Sequence, residues 1–165
     1  MLSFKQKCAL QCKIGKSPVK KQKFIMGLLL RRRRHKMTIR ISFGVEDVIK
    51  IHDDIIENTG GAFGILNKGL IEFTIERVKG EVIKEEDTDL FEVASLILRD
   101  FVQGHPFVDG DKRIAFELVG IILRDNGYIF KIEKEEVIKF LLQLAKGESG
   151  LKKVKEWIKK KVKSK

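Results

Sequence analysis

His105-Pro106-Phe107-Val108-Asp109-Gly110-Asp111-Lys112-Arg113, followed at once by the largely apolar run Ile114 to Leu123, decides how this chain is read. Pro106 disfavours helical geometry at the residue before it, so His105 is expected on a loop. The apolar run predicts a buried helix from about Asp111 to Asp125, closed by the terminating pair Asn126-Gly127. A helix start offers unpaired N–H groups and a partial positive charge, which favours phosphate. The loop feeding it carries a set of side chains suited to the same ligand. His105 supplies an imidazole, the side chain that exchanges protons near neutral pH. Asp109 is a hard oxygen ligand of the kind Mg²⁺ takes alongside substrate phosphates. Gly110 lets the backbone approach a phosphate closely. Lys112 and Arg113 add positive charge, Arg113 as a fork. Any one of these residues would be ordinary in a capping loop, with Asp109 as N-cap and the cations solvated. The nine together point to transfer of a phosphate-containing group.

Upstream of the loop, Asp89–Gln103 is predicted as a helix capped by Thr88 or Asp87 and apolar around most of its circumference, hence central. Gly104 is expected to end it in the C′ position. Further back, Gly44 is expected to start a helix on which Val45, Val48, Ile49, His52, Ile55 and Ile56 share one face, ending near Asn58. His52 on that face is read as a hydrogen-bonded core histidine, and Asp53 and Asp54 as solvated. Residues 60–64 form a Gly-rich connection, Leu70–Val78 a second helix, and 80–87 a polar loop. Downstream, Tyr128–Ile132 reads as an extended link and Glu133–Lys146 as a helix. After a break at 147–150, Leu151, Val154, Ile158 and Val162 mark a last amphipathic helix with Trp157 beside the stripe. The fold expected is all-α, a helical bundle with at most a small flap or hairpin near residues 60–69.

The chain has 165 residues and a formal net charge of +11, but the charge is unevenly placed. Residues 1–36 hold 12 Lys or Arg and no acid, which leaves 22 basic against 23 acidic residues in 37–165. The basicity belongs to an extension, read as a disordered arm or an over-called start with Met37 as the true one. Residues 37–165 are read as the folded domain, and its balanced charge argues against nucleic acid as the partner. Phe24–Leu30 is too short to span a bilayer. Both cysteines, Cys8 and Cys12, lie in the extension, so no disulfide framework is expected and a cytoplasmic protein is the default. The composition leaves a homo-oligomer open.

The stretch 105–113 resembles the signature of the Fic/Doc (Fido) family, His-x-Phe-x-Asp-Gly-Asn-Lys/Gly-Arg. Asp47-Val48-Ile49-Lys50-Ile51-His52-Asp53, the segment Gly60 to Leu70, Ala94 and Asn126-Gly127-Tyr128 also resemble that family, so the likeness covers about residues 43–130. It implies a Fido-type helical bundle that transfers part of a nucleotide to a protein hydroxyl. By resemblance, His105 is the catalytic base, Asp109 holds Mg²⁺, and Gly110, Asp111, Lys112 and Arg113 bind the nucleotide phosphates. Ile65, Leu66 and Asn67 form the flap that positions the target. Lys112 and Phe116 stand where AMP-transferring members carry Gly and a second Arg. Both favour the Doc branch, in which ATP phosphorylates a Ser or Thr hydroxyl, with a translation factor as target and a separate antitoxin as partner. The self-inhibitory pattern Ser/Thr-x-x-x-Glu-Gly/Asn has no full match here. Asp111 departs from the family's Asn. An ionised Asp cannot donate a hydrogen bond and would repel phosphate unless Lys112 or a second metal offset it. AMP transfer and a catalytically degenerate binding module therefore stay open as alternatives.

Overall fold

Leu90–Gly104 is the helix around which the others are arranged. It buries Leu90, Val93, Ala94, Ser95, Leu96, Ile97, Leu98, Phe101 and Val102, so it is covered on nearly all sides, as its sequence predicts. The computed structural model describes residues 39–84 and 89–165, with the side chains of Ile83 and Lys84 left out. The basic extension 1–36 and the expected caps Asp87 and Thr88 lie outside the described residues. Among those described, the order is α1 (Val45–Thr59), α2 (Lys68–Lys84), α3 (Leu90–Gly104), α4 (Asp111–Asp125), β1 (Tyr128–Phe130), α5 (Lys134–Ala145), α6 (Leu151–Lys161) and β2 (Val162–Ser164). Helices α2, α4, α5 and α6 pack against α3, and α1 closes over α4. The all-α expectation holds. No helix among the described residues is long and apolar enough to cross a membrane.

Four local expectations change. Helix α2 starts at Lys68 and runs through Gly80 to Lys84, past the end expected at Val78. Val82 continues the stripe of Ile71, Ile75 and Val78 and packs against the core. That outweighs the roughly 1 kcal/mol that a helical glycine costs relative to alanine. Gly104 is not the left-handed residue after α3 but its last helical residue. A β-carbon there would meet the Leu70 side chain, where α2 packs against α3, so Leu70 would have to shift. The left-handed position falls to His105, at φ 47° and ψ 60°. The segment 60–69 forms no hairpin of its own and instead bridges Ile65 to Phe107. The two-stranded antiparallel sheet lies elsewhere, pairing Tyr128 with Ser164, Ile129 with Lys163 and Phe130 with Val162. Val162, expected on the last helix, has already turned extended.

The sheet closes the C-terminal end onto the domain. Lys155 and Lys159 reach Asp89, Lys155 also reaches Glu92, and Lys161 reaches Glu136. Trp157 stacks on Phe140 at 4.0 Å, the packing role expected for it. At the other end Ile39 and Phe43 are buried. Asn126 bonds both main-chain groups of Arg40 at 2.9 Å, which ties the chain before α1 to the end of α4.

Asp89 caps α3, its side chain accepting from the Phe91 N–H at 3.0 Å. Burial alone would raise its carboxyl, but Lys159, the Phe91 N–H and Lys155 outweigh burial and hold it below its ordinary value. A carboxyl depressed by folding stabilises the fold above its unfolded value and loses that contribution as pH falls through the folded one. The stability gap between the native chain and Asp89→Asn is therefore expected to be full at neutral pH and to shrink below about pH 4. Urea denaturation across that range measures it, and a gap independent of pH would remove the ion pairs as its cause.

Candidate active site

The loop 105–110 connects the central helix α3 to α4, so both of its ends are set by buried elements. Phe107 is 1% exposed and fills the space beneath the loop. Its ring stacks on His52 of α1 with centroids 3.8 Å apart and planes 5° from parallel. His52 is fully buried, and its Nε2 donates to the carbonyl oxygen of Asp109 at 2.9 Å. Its Nδ1 lies 3.1 Å from Asp53 Oδ1. His52 is thus the core histidine its helical position predicts, but it also holds the loop from below. Sequence reasoning missed that second role. The signal was there in a polar residue placed on an apolar face.

Gly110 sits at φ 85°, in the left-handed region, and caps α4. A β-carbon at this position would come within 3.0 Å of Ile56 and 3.4 Å of His52 Nε2, so conformation and space both call for glycine. The first intrahelical bond of α4 runs from the Ile114 N–H to the Gly110 carbonyl. The N–H groups of Asp111, Lys112 and Arg113 precede it and have no intrahelical acceptor. These three open N–H groups line a cradle at the helix start, where the sequence leads one to expect an anion.

His105 stands beside this helix start. It is the sole non-glycine residue with positive φ among those described, a conformation that costs on the order of 1–3 kcal/mol. Its side chain is 53% exposed, whereas that of Asp111 is 8% exposed. His105 Nδ1 lies 3.1 Å from Asp111 Oδ2, and the Phe107 N–H donates to Asp111 Oδ1 at 3.0 Å. Asp111 was expected among the phosphate-binding groups, but both of its carboxylate oxygens are engaged by protein donors.

Asp109 is half exposed beside the cradle. The Gly110 N–H at 2.6 Å holds its carboxyl below the usual carboxylate range, and Arg113 and the Ala62 N–H add to this. A carboxylate kept ionised and open to solvent fits a hard cation. Among the described residues no group of three or more His, Cys, Asp or Glu could cage a metal. The arrangement suits Mg²⁺, which binds through one or two carboxylates plus substrate phosphates. Arg113 bridges Asp109 at 3.1 Å to Thr59 Oγ1 and the Gly60 carbonyl at the root of the flap. Lys112 is half-buried and has no ion-pair partner among the described residues.

The flap lies alongside the loop. Its Leu66 and Asn67 N–H groups donate to the Pro106 carbonyl at 2.8 and 3.1 Å, and the Val108 N–H donates to Gly64 at 3.0 Å. Bonds through the residues on either side of Ile65 leave the main-chain groups of Ile65 itself on the outer edge. Ile65 and Leu66 are exposed. Asn67 does more than line the flap, because its Oδ1 accepts from the Leu70 N–H and starts α2. Phe116, at the position of a second arginine in the resembled pattern, is stacked on Phe130 at 4.8 Å, so no cation reaches the cradle from there.

The model of the Fic/DOC family matches residues 42–123, from just before α1 nearly to the end of α4. The chain is also similar to the protein kinase doc of Escherichia phage P1, with 34% identity over 115 residues, 70% of this chain and 90% of the phage protein. The aligned length exceeds the motif many times over and takes in the helices that position it. Likeness on that scale reflects a shared fold as well as a shared loop, and the chain belongs to the Fic/DOC family.

Proposed function

We propose that the chain is a Doc-like transferase that moves the γ-phosphoryl group of ATP to the hydroxyl of a protein Ser or Thr. One observation carries the reading. A half-exposed imidazole, His105, stands over a helix start whose first three N–H groups are open, with Lys112, which has no ion-pair partner among the described residues, on the same turn. His105 Nε2 takes the proton of the target hydroxyl. The hydroxyl oxygen forms a bond to the γ-phosphorus as the bond to the β-phosphate oxygen breaks, and ADP leaves. The N–H groups of 111–113, with Lys112 and Arg113, hold phosphate oxygens through the step. Mg²⁺, when bound by Asp109 and the nucleotide, neutralises and orients the phosphates. The outer edge of the flap at Ile65 takes the target's main chain as an added strand.

Phosphoryl transfer is preferred over AMP transfer because of Lys112 and Phe116. A lysine fills the turn that small residues leave open in AMP-transferring relatives of the resembled pattern, and the packed ring of Phe116 removes a second phosphate clamp. The similar phage protein is a protein kinase by name, which supports the same choice. The target is proposed to be a translation factor, with a separate antitoxin as the inhibitory partner and the cytoplasm as the place of action. Incubation with a candidate factor and Mg·ATP labelled separately at the α and γ positions tests the reaction. Label on the factor is expected from γ alone. Label from α would establish nucleotide transfer, and label from neither would leave a binding module.

A further inference from the structure

We propose that the cavity between α2 and α3 is a specificity pocket that takes an acidic side chain of the target, Asp or Glu, within a few residues of the accepting hydroxyl. The inference rests on the proposed transfer to a protein hydroxyl and adds which sequences carry that hydroxyl. The cavity holds about 350 Å³, lined from α2 by Leu70, Phe73 and Arg77 and from α3 by Arg99, Gln103 and Gly104. It shares its walls with the reaction site. Gly104 is the residue before His105, and the Leu70 N–H is the group that Asn67 of the flap caps at 3.0 Å. A target segment laid along the flap advances about 3.3 Å per residue. A side chain that enters the cavity therefore belongs to the same segment that is presented to His105.

Charge decides what enters. Asp100 is the one carboxylate among the residues that line the cavity, and its side chain is 9% exposed. Arg77 reaches its Oδ2 at 3.3 Å, and Arg99 reaches its Oδ1 through Nε at 2.9 Å and a terminal nitrogen at 2.6 Å. Arginine does not lose its proton in proteins, so two guanidiniums share one carboxylate and the lining carries one positive charge in excess. Both guanidiniums are partly open to solvent while Asp100 holds them from within, and a guanidinium fork matches a carboxylate. One acidic side chain balances the excess, whereas a phosphate group carries close to two charges. In a recess walled by Leu70 and Gly104 such a pair is less screened than on open surface. Phe73, which lines the same cavity, is 58% exposed and offers an apolar contact to a neighbour of the acid.

Peptides centred on Ser or Thr, with each flanking position in turn fixed as Asp, Asn, Lys or phosphoserine, test this on the full chain by fluorescence anisotropy. At one flanking position Asp is expected to bind at least about tenfold more tightly than Asn, the strength of a hydrogen bond to a charged group, with Lys weakest. Arg77→Gln is expected to lose most of that preference. Asp100→Asn removes the competing carboxylate and is expected to increase it, a gain that a merely structural role for Asp100 does not produce. No position that prefers Asp over Asn, or a preference unchanged in Arg77→Gln, would overturn the proposal. Tighter binding of phosphoserine than of Asp would overturn it in favour of a phosphate site. The native chain and Arg77→Gln decide even if Asp100→Asn folds poorly. Incubating the same peptides with γ-labelled Mg·ATP separates the two readings. A preference for Asp without label supports the pocket and overturns the transfer reading alone. Label without a preference for Asp overturns the pocket alone.

Discussion

His105→Ala is expected to abolish transfer to the target while leaving the fold intact. A positioned base contributes roughly 10²–10⁴-fold to a proton-coupled step, so loss of Nε2 should drop the rate by at least that range. The structural cost is small because the imidazole is 53% exposed and its removal opens no core cavity. Water can enter and donate to Asp111 Oδ2 in its place. Alanine tolerates the left-handed backbone at this position no better than histidine, so no stabilisation is expected to offset the change. The melting temperature should move by only a few degrees, since surface changes are usually worth less than about 1 kcal/mol. Intact-mass analysis of the target, alongside a thermal melt of the variant, separates the two effects. Modification at the native rate by His105→Ala would remove the base role.

His52→Ala is expected to reverse the pattern, with a large loss of stability and a secondary loss of activity. His52 is fully buried, so truncation leaves a cavity against Phe107 and strips the Asp109 carbonyl of its donor. Large-to-small changes at buried rings and the loss of a buried hydrogen-bond partner together cost about 3 kcal/mol. For a domain of this size that lowers the melting point by roughly 10 °C. The loop would lose its support between Phe107 and Gly110, and a displacement of about 1 Å at reacting groups can cost 10²-fold in rate. His52→Gln keeps an N–H donor and should fall between the two. Melting curves and transfer rates on the three proteins check the order. Equal melting points for the native chain and His52→Ala would remove His52 as the loop's support.

The sequence shows α4 with both ends correct, because Gly110 before it and Asn126-Gly127 after it are local signals that no tertiary contact opposes. The start of α3 is legible within a residue, but its cap is Asp89 and not the expected Thr88 or Asp87. The end of α3 misleads, because glycine has two uses and only the approach of Leu70 shows which one applies at 104. The last helix runs on into β2, and its lysines pair with Asp89, Glu92 and Glu136. Strand pairing between residues 32 positions apart, Phe130 with Val162, leaves no trace in a three-residue stretch.

At the site the division follows the range of the interactions. The sequence by itself determined the chemistry available: an imidazole, a hard carboxylate, a flexible cap and two cations at the start of a buried helix, because those depend on residue type and local periodicity. Only the tertiary structure decided what each group faces. His52 meets Asp109 across 57 positions and Arg113 meets Thr59 across 54, and Asp111 turns back onto His105 instead of toward the cradle. Hydrogen bonds are short and directional, so the partner of a polar side chain is settled by the packing of the helices that carry it.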